Sequence, residues 1–286
     1  MNRAIIDLYD EFRHTPMPRR EFMSRLTQLA GGAAAATSIL PLLEGNAEAA
    51  KVAPDDPKLQ AGEVSYPGPA GPVKAYQARP KGAGALPAVI VIHENRGLND
   101  HIRDVARKAA VAGLHAIAPD LLSRKGGTPP VQEQAIAAIR DLAREDALAD
   151  LRAGVAFLNK SPQVAGGKVG TVGFCWGGAM VNLLAANEPT LDAAVAFYGF
   201  PPDPAVVPKI QAPLFLIYAG NDKRVNERVP AYLDALKKAG KNFVSETYPN
   251  VEHAFHNDTG GARYNQKAAD DAWAKTVAFL NKHLKG

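Results

Sequence analysis

The chain contains one cysteine in 286 residues, Cys175. A lone thiol excludes any intramolecular disulfide and any cysteine-built zinc site, and it leaves no second cysteine to resolve an oxidised one. Charge of one sign is not concentrated anywhere. The formal net charge of +4 is spread along the chain, with no Lys/Arg block and no basic stripe interleaved with aromatics. The electrostatic footprint of a nucleic-acid-binding protein is therefore missing. Long apolar runs are also lacking: the weakly apolar stretch 26–43 is interrupted by Gly31, Gly32, Thr37, Ser38 and Pro41, so no stable membrane anchoring is expected. No internal repeat is present. What remains, 47% hydrophobic and 22% charged residues, suffices for one well-buried core.

The first 49 residues have the three-part layout of an export leader. A polar region ends in Arg19-Arg20-Glu21-Phe22-Met23, the weakly apolar stretch follows, and Ala47-Glu48-Ala49 supplies the small residues that a signal peptidase reads. The pattern resembles a twin-arginine signal, with Pro18 where Ser or Thr is usual, and it predicts a periplasmic or secreted protein cut after Ala49. The competing reading is an amphipathic cytosolic helix. On the export reading residues 1–49 lie outside the fold, and residues 50–64, with Pro54, Asp55, Asp56 and Pro57, form a polar linker before a single domain over 65–286.

Within that domain, apolar β-branched runs alternate with helical patterns. Strands are predicted at 73–79, 88–92, 115–118, 168–173, 193–198, 214–218 and 243–248. Helices are predicted at 100–112, 131–158, 178–186, 229–239 and 266–284, where apolar residues recur every three or four positions. This order implies an α/β fold with a mainly parallel sheet covered on both faces, and it puts reactive groups at the carboxyl ends of the strands.

The strand 168–173 runs directly into Gly173-Phe174-Cys175-Trp176-Gly177-Gly178. A buried strand, Gly-x-Cys-x-Gly-Gly and a small-residue helix make a nucleophile elbow with sulfur in place of oxygen. Any Cβ at Gly173 or Gly177 would meet the neighbouring chain, and the helix N-terminus favours the thiolate. A lone cysteine is by default a small buried hydrophobe; the paired glycines and the strand-to-helix turn argue otherwise here. A nucleophile on such a turn needs an acid and then a histidine, later in the chain. Asp222 follows the strand 214–218 through Ala219-Gly220-Asn221, and its alternative role is a turn cap. The loop after 243–248 carries His253 and His256, the only histidines in the required order that are not on the terminal helix. His253 is the preferred base and His256 the alternative.

These residues resemble the dienelactone hydrolases, α/β-hydrolase-fold enzymes with a Gly-x-Cys-x-Gly-Gly elbow, and the likeness runs from about residue 65 to the C-terminus. The resemblance implies a triad of Cys175, Asp222 and His253. It also implies that Glu94, in Ile92-His93-Glu94-Asn95-Arg96-Gly97, takes the resting thiol's proton; on residue type alone Glu94 is a solvated loop carboxylate. The backbone N–H groups of Asn95 and Trp176 become the oxyanion hole. Arg124, after Pro119-Asp120-Leu121, matches one of two family arginines that hold a substrate carboxylate, and Tyr198 joins it as a substrate-binding candidate. The position of the second arginine is Asn257, for which Arg263 is a possible substitute.

The activity expected is hydrolysis of a small-molecule ester or lactone, such as an enol-lactone, through a thioester acyl-enzyme, with no metal or organic cofactor. Two other readings use the same residues: a redox-active thiol protein, disfavoured because no resolving cysteine exists, and a non-catalytic binding domain on the same fold.

Overall fold

The computed structural model describes residues 2–44 and 52–285. Three helices come first: α1 (Arg3–His14), α2 (Arg19–Ala30) and α3 (Ala33–Glu44). Then follow β1 (Leu59–Gly68), β2 (Gly71–Pro80), β3 (Leu86–Ile92), α4 (Asp100–Val111), β4 (His115–Pro119), α5 (Gln132–Arg140) and α6 (Arg144–Asn159). The second half comprises β5 (Val164–Phe174), α7 (Trp176–Asn187), β6 (Ala193–Phe197), β7 (Leu214–Ala219), α8 (Lys223–Asn226), α9 (Val229–Lys238), β8 (Phe243–Tyr248) and α10 (Gln266–Leu284). All seven predicted strands are present, and the predicted strand 243–248 and helix 266–284 match β8 and α10 at both ends.

The eight strands form one sheet in the order β1-β2-β4-β3-β5-β6-β7-β8, parallel from β4 to β8 and antiparallel at the β1 and β2 edge. β3, β5, β6 and β7 are buried on both faces, and their apolar residues divide between two cores, one on each side of the sheet. One core packs under α6, α7 and α9, the other under α4 and α10. The continuous Val/Ile/Ala runs that marked these strands in the sequence are the direct consequence of two-sided burial. The chain is therefore an α/β protein with a mostly parallel sheet and helices on both faces.

Two expectations need correction. Residues 59–64, assigned to a polar linker, are the first part of β1, paired residue by residue with β2. This edge strand buries only Tyr66, so its backbone hydrogen bonds, which leave no apolar pattern, hold it in place. The helix predicted at 131–158 is two helices. Asp141, Leu142 and Ala143 break it, with Leu142 turned into the core and Glu145 and Asp146 in the first turn of α6.

Residues 2–44, read from the sequence as part of an export leader, form α1–α3. Helices α1–α3 have a small core of their own, including Tyr9, Phe22 and Leu26, and they dock on the domain. Arg3 donates to Glu252 Oε1 at 2.6 Å and to the Asn221 carbonyl at 2.7 Å, while Asp10 lies 3.8 Å from Arg224 and 3.7 Å from Arg263. The expected cleavage motif Ala47-Glu48-Ala49 lies outside the described residues. Among the described residues no helix is long and apolar enough to cross a membrane.

Candidate active site

β5 delivers Cys175 at the centre of the sheet, one residue before α7 begins. Its backbone sits at φ 55°, ψ −114°, a conformation that costs a non-glycine residue about 1–3 kcal/mol and persists only where the surroundings enforce it. The Cys175 amide donates to the Phe197 carbonyl at 3.0 Å, tying the elbow to β6. The two glycines permit the turn as expected. A Cβ on Gly173 would lie 2.4 Å from the Gly177 carbonyl oxygen, and one on Gly177 would lie 2.4 Å from the His93 carbonyl oxygen. The α7 helix can therefore start hard against β3 and β5 only because these side chains are missing.

Asp222 follows β7 and caps α8, its Oδ1 accepting from the Val225 amide at 3.2 Å, while its Oδ2 accepts from His253 Nδ1 at 2.5 Å. The turn-cap role and the acid role thus use different oxygens of the same carboxylate. The loops are braced against each other by Gly220 N–H to the Tyr248 carbonyl at 2.8 Å and Asn221 N–H to the Val251 carbonyl at 3.0 Å. Burial alone would raise the Asp222 carboxyl; the charge and hydrogen bond of His253, helped by Arg224, outweigh it and hold Asp222 below its ordinary value. Burial likewise works against the His253 imidazolium, but the negative charges of Asp222, Cys175 and Asp10 prevail and raise His253 well above its ordinary value.

His256 does not share this arrangement. It stacks on Phe174 at 4.8 Å and packs against Phe197 and Trp273 within the apolar core, where burial pushes it well below its ordinary value. Of the two histidines that the sequence left open, His253 is the one bonded to Asp222.

Glu94 is buried rather than solvated, at 4% exposure. One oxygen accepts from the Asn257 side-chain amide, and the other, Oε1, is enclosed with no hydrogen-bond partner among the described residues. Asn257 is itself fixed by the Thr259 amide at 2.9 Å and hydroxyl at 2.7 Å. It therefore faces Glu94. A cavity of about 10 Å³ is bordered by Glu94, Asn95, Arg96, Cys175, His253, Ala254 and Arg263. Next to it a larger cavity of about 260 Å³ brings together Asn95, Cys175, Trp176, Tyr198 and His253. Tyr198, at φ 38°, packs its ring 5.0 Å from that of His253. Trp176 opens α7, where an amide has no acceptor within its own helix.

Arg124 is the candidate that the structure does not bring to the site. Its guanidinium is bidentate on the buried Asp150, at 2.8 and 2.9 Å, and also reaches Asp146 at 3.0 Å. It lines neither cavity that Cys175 borders. Asp146 and Asp150 lie one turn apart on α6, and a buried carboxylate such as Asp150 needs a cation beside it. Nothing local to the Pro119-Asp120-Leu121 segment carries that information.

The cavity is instead rimmed by Arg140, Arg144 and Arg224, and no Asp or Glu is among the described residues that line it. Arg140 and Arg144 flank the break between α5 and α6. Arg224 stacks on Phe200 at 4.5 Å; its Nε lies 3.8 Å from Asp10 Oδ2, and neither Nε nor Nη2 has a hydrogen-bond partner among the described residues. Sequence reasoning missed all three because each is an ordinary helical arginine by pattern.

His93 was missed too. Its Nε2 accepts from the Leu121 amide at 3.3 Å, so its Nδ1 carries the proton given to the Glu94 carbonyl at 2.7 Å. Its ring stacks on Trp176 at 5.5 Å and 9°, which ties the Glu94–Asn95 turn to the start of α7. Among the described residues no group of three or more His, Cys, Asp and Glu side chains is placed to hold a metal ion.

Residues 73–284 match the model of the dienelactone hydrolase family. A protein of Methylorubrum extorquens assigned as a carboxymethylenebutenolidase is 32% identical over 246 residues, covering 81% of this chain and 84% of its own. One from Escherichia coli K12 with the same assignment is 34% identical over 251 residues, covering 80% and 89%. Among solved structures, a protein of Klebsiella pneumoniae assigned as a dienelactone hydrolase superposes with a TM-score of 0.71 at 32% identity, covering 78% of this chain and 99% of its own. The dienelactone hydrolase-like promiscuous phosphotriesterase P91, from metagenomic libraries, gives 0.70 at 25%, covering 79% and 99%. This chain therefore belongs to the dienelactone hydrolase family and is a hydrolase of the ester- and lactone-cleaving class.

Proposed function

We propose that the chain hydrolyses a carboxylic ester or lactone with Cys175 as nucleophile, His253 as general base and acid, and Asp222 as the group that orients His253. The observation that carries this reading is the His253–Asp222 bond of 2.5 Å beside a cysteine held at φ 55° on the wall of the same cavity. In the acylation step the Cys175 sulfur attacks the carbonyl carbon and the tetrahedral oxyanion is held by the amides of Asn95 and Trp176. The C–O bond then breaks, and the departing oxygen takes its proton from His253. In the second step His253 removes a proton from water, the hydroxide attacks the thioester, and the C–S bond breaks to return the Cys175 thiolate. The unpartnered Glu94 oxygen beside Cys175 is the acceptor for the resting thiol's proton.

The test is hydrolysis of p-nitrophenyl acetate before and after alkylation by iodoacetamide, with mass spectrometry of the acid-quenched enzyme. Loss of turnover on modification of Cys175, and an acetyl adduct on Cys175 in the unmodified protein, are expected. Full activity after complete alkylation of Cys175 would refute the mechanism.

Substrate charge is assigned to Arg224, with Arg140 and Arg144, rather than to Arg124. A single charge-assisted contact contributes about 1.5–3 kcal/mol, or about ten- to hundredfold in relative kcat/KM. Arg224→Gln is expected to lower the ratio of kcat/KM for an enol-lactone acid over its methyl ester by that factor. Arg124→Ala is expected to leave the ratio unchanged. A ratio that follows Arg124 and ignores Arg224 would reverse the assignment.

Residues 1–49 are proposed to act as a twin-arginine export leader, on the strength of Arg19-Arg20, the weakly apolar stretch and Ala47-Glu48-Ala49. Cell fractionation should find the protein in the periplasm beginning at Ala50, and Arg19→Lys/Arg20→Lys should retain it in the cytosol. Cytosolic full-length protein in both cases would exclude export. Removal of α1 would also withdraw Asp10 from Arg224 and Arg263.

A further inference from the structure

The cavity at Cys175 shares part of its lining with a neighbour. Arg144, Trp176, Ala179 and Phe200 also border a second cavity, of about 710 Å³, between the start of α7, the segment 200–206 and α9. Its volume falls within the roughly 300–1,000 Å³ of sites that enclose small organic ligands. Trp176, Ala179, Met180 and Leu183 present one face of α7 to it, at helical spacing, opposite Val206 and Tyr232. Charged side chains, among them Glu145, Asp203 and Glu227, stand around this lining. Trp176, Leu183, Phe200 and Val206 are only half-buried, so a contiguous apolar wall faces solvent. Phe200 is held at the junction by two guanidinium groups over its ring, Arg224 at 4.5 Å and Arg228 at 5.0 Å.

We infer that this second cavity binds an extended apolar acyl arm of the substrate, so that the chain acts on esters whose acyl part is longer than a small lactone ring. This rests on the Cys175 reading above. The assignment to the acyl side follows from which residues each cavity contains. His253, which must reach the leaving oxygen to protonate it, borders the first cavity and not the second. The part of the substrate that departs therefore lies toward His253. Trp176 and Ala179 stand one and four residues beyond Cys175 on its own helix and border both cavities. The part that stays bonded to the Cys175 sulfur is the part that runs along α7, past Phe200 and into the groove.

The experiment compares kcat/KM of the full-length protein for p-nitrophenyl acetate and p-nitrophenyl octanoate below their aggregation limits. Wild type is expected to favour octanoate by roughly tenfold or more, because each methylene that enters an apolar groove adds to transition-state binding. Val206→Asp, which puts a charge on the far wall, and Leu183→Gln, a milder change on α7, should each cut the octanoate-to-acetate ratio to within about threefold. Thermal melts identify a variant that fails to fold, and the second variant then carries the test. A wild-type ratio near or below one, or a preference untouched by both variants, would overturn the inference while Cys175-dependent acetate hydrolysis still stood. Absence of any iodoacetamide-sensitive hydrolysis of either ester would remove the catalytic reading and this inference with it.

Discussion

Replacing Cys175 with alanine is expected to lower ester hydrolysis by at least roughly 10⁵-fold while leaving the fold in place. The loss is large because the proposed route forms a covalent bond to this sulfur, and no other thiol exists in the chain to take over. What survives is the catalysis that the amides of Asn95 and Trp176 and simple binding give to attack by water. Stability should change little for alanine, since the side chain is small and the φ of 55° stays as strained for alanine as for cysteine. Glycine separates chemistry from strain. Cys175→Gly should be equally inactive yet melt higher than Cys175→Ala, because glycine adopts positive φ without a steric cost. The measurements are p-nitrophenyl acetate turnover and calorimetric Tm for both variants. Wild-type-like turnover by either would remove Cys175 from the mechanism. A lower Tm for glycine than for alanine would show that the elbow is not strained at this residue.

Replacing Asp222 with asparagine should cost about 10³–10⁴-fold in kcat, because the imidazole loses both the partner that sets its tautomer and the charge that stabilises its protonated form. The same change alters pH dependence in a defined direction. In the wild-type protein burial opposes protonation of His253, and the negative charges around it, Asp222 foremost, more than compensate. A histidine whose folded pKa is raised stabilises the fold fully below its unfolded value and loses that contribution as pH rises through the folded value. Wild-type Tm should therefore fall as pH climbs from neutrality toward the alkaline side. In Asp222→Asn burial gains weight, the His253 pKa drops, and that alkaline fall should shrink or disappear. Tm measured against pH for both proteins, with the His253 titration followed by NMR, decides the point. An unchanged His253 titration in the variant would show that Asp222 does not govern it.

The strand-to-helix elbow at Cys175 was legible because its determinants are local. A two-sided buried strand, two glycines that admit close backbone contact and a small-residue helix are consecutive in the chain, so Cys175 could be singled out with no knowledge of the rest. Asp222 and His253 were legible for a related reason, since each follows directly on a recognisable strand and chain order limits the choice. Even so, His253 could be separated from His256 only by packing. Three residues of loop decide whether an imidazole meets Asp222 or an aromatic cluster.

Residues whose roles depend on distant partners were not legible. Arg124 stands at the position that the resemblance points to, yet two carboxylates on α6 hold it. Arg224 borders the cavity beside Phe200, from another part of the chain, over whose ring its guanidinium lies. β1 was invisible because an edge strand is held by backbone hydrogen bonds, which carry no side-chain signature. The sequence by itself determined the alternation of strands and helices from β2 onward, the mainly parallel sheet and the identity of the elbow cysteine, all of which follow from periodicity and from glycine sterics between near neighbours. Only the tertiary structure decided which histidine meets Asp222, which arginines face the cavity and which second cavity shares its lining. Each of those is a distance between side chains far apart in sequence, and distance in space between such residues is a property of the packed chain as a whole.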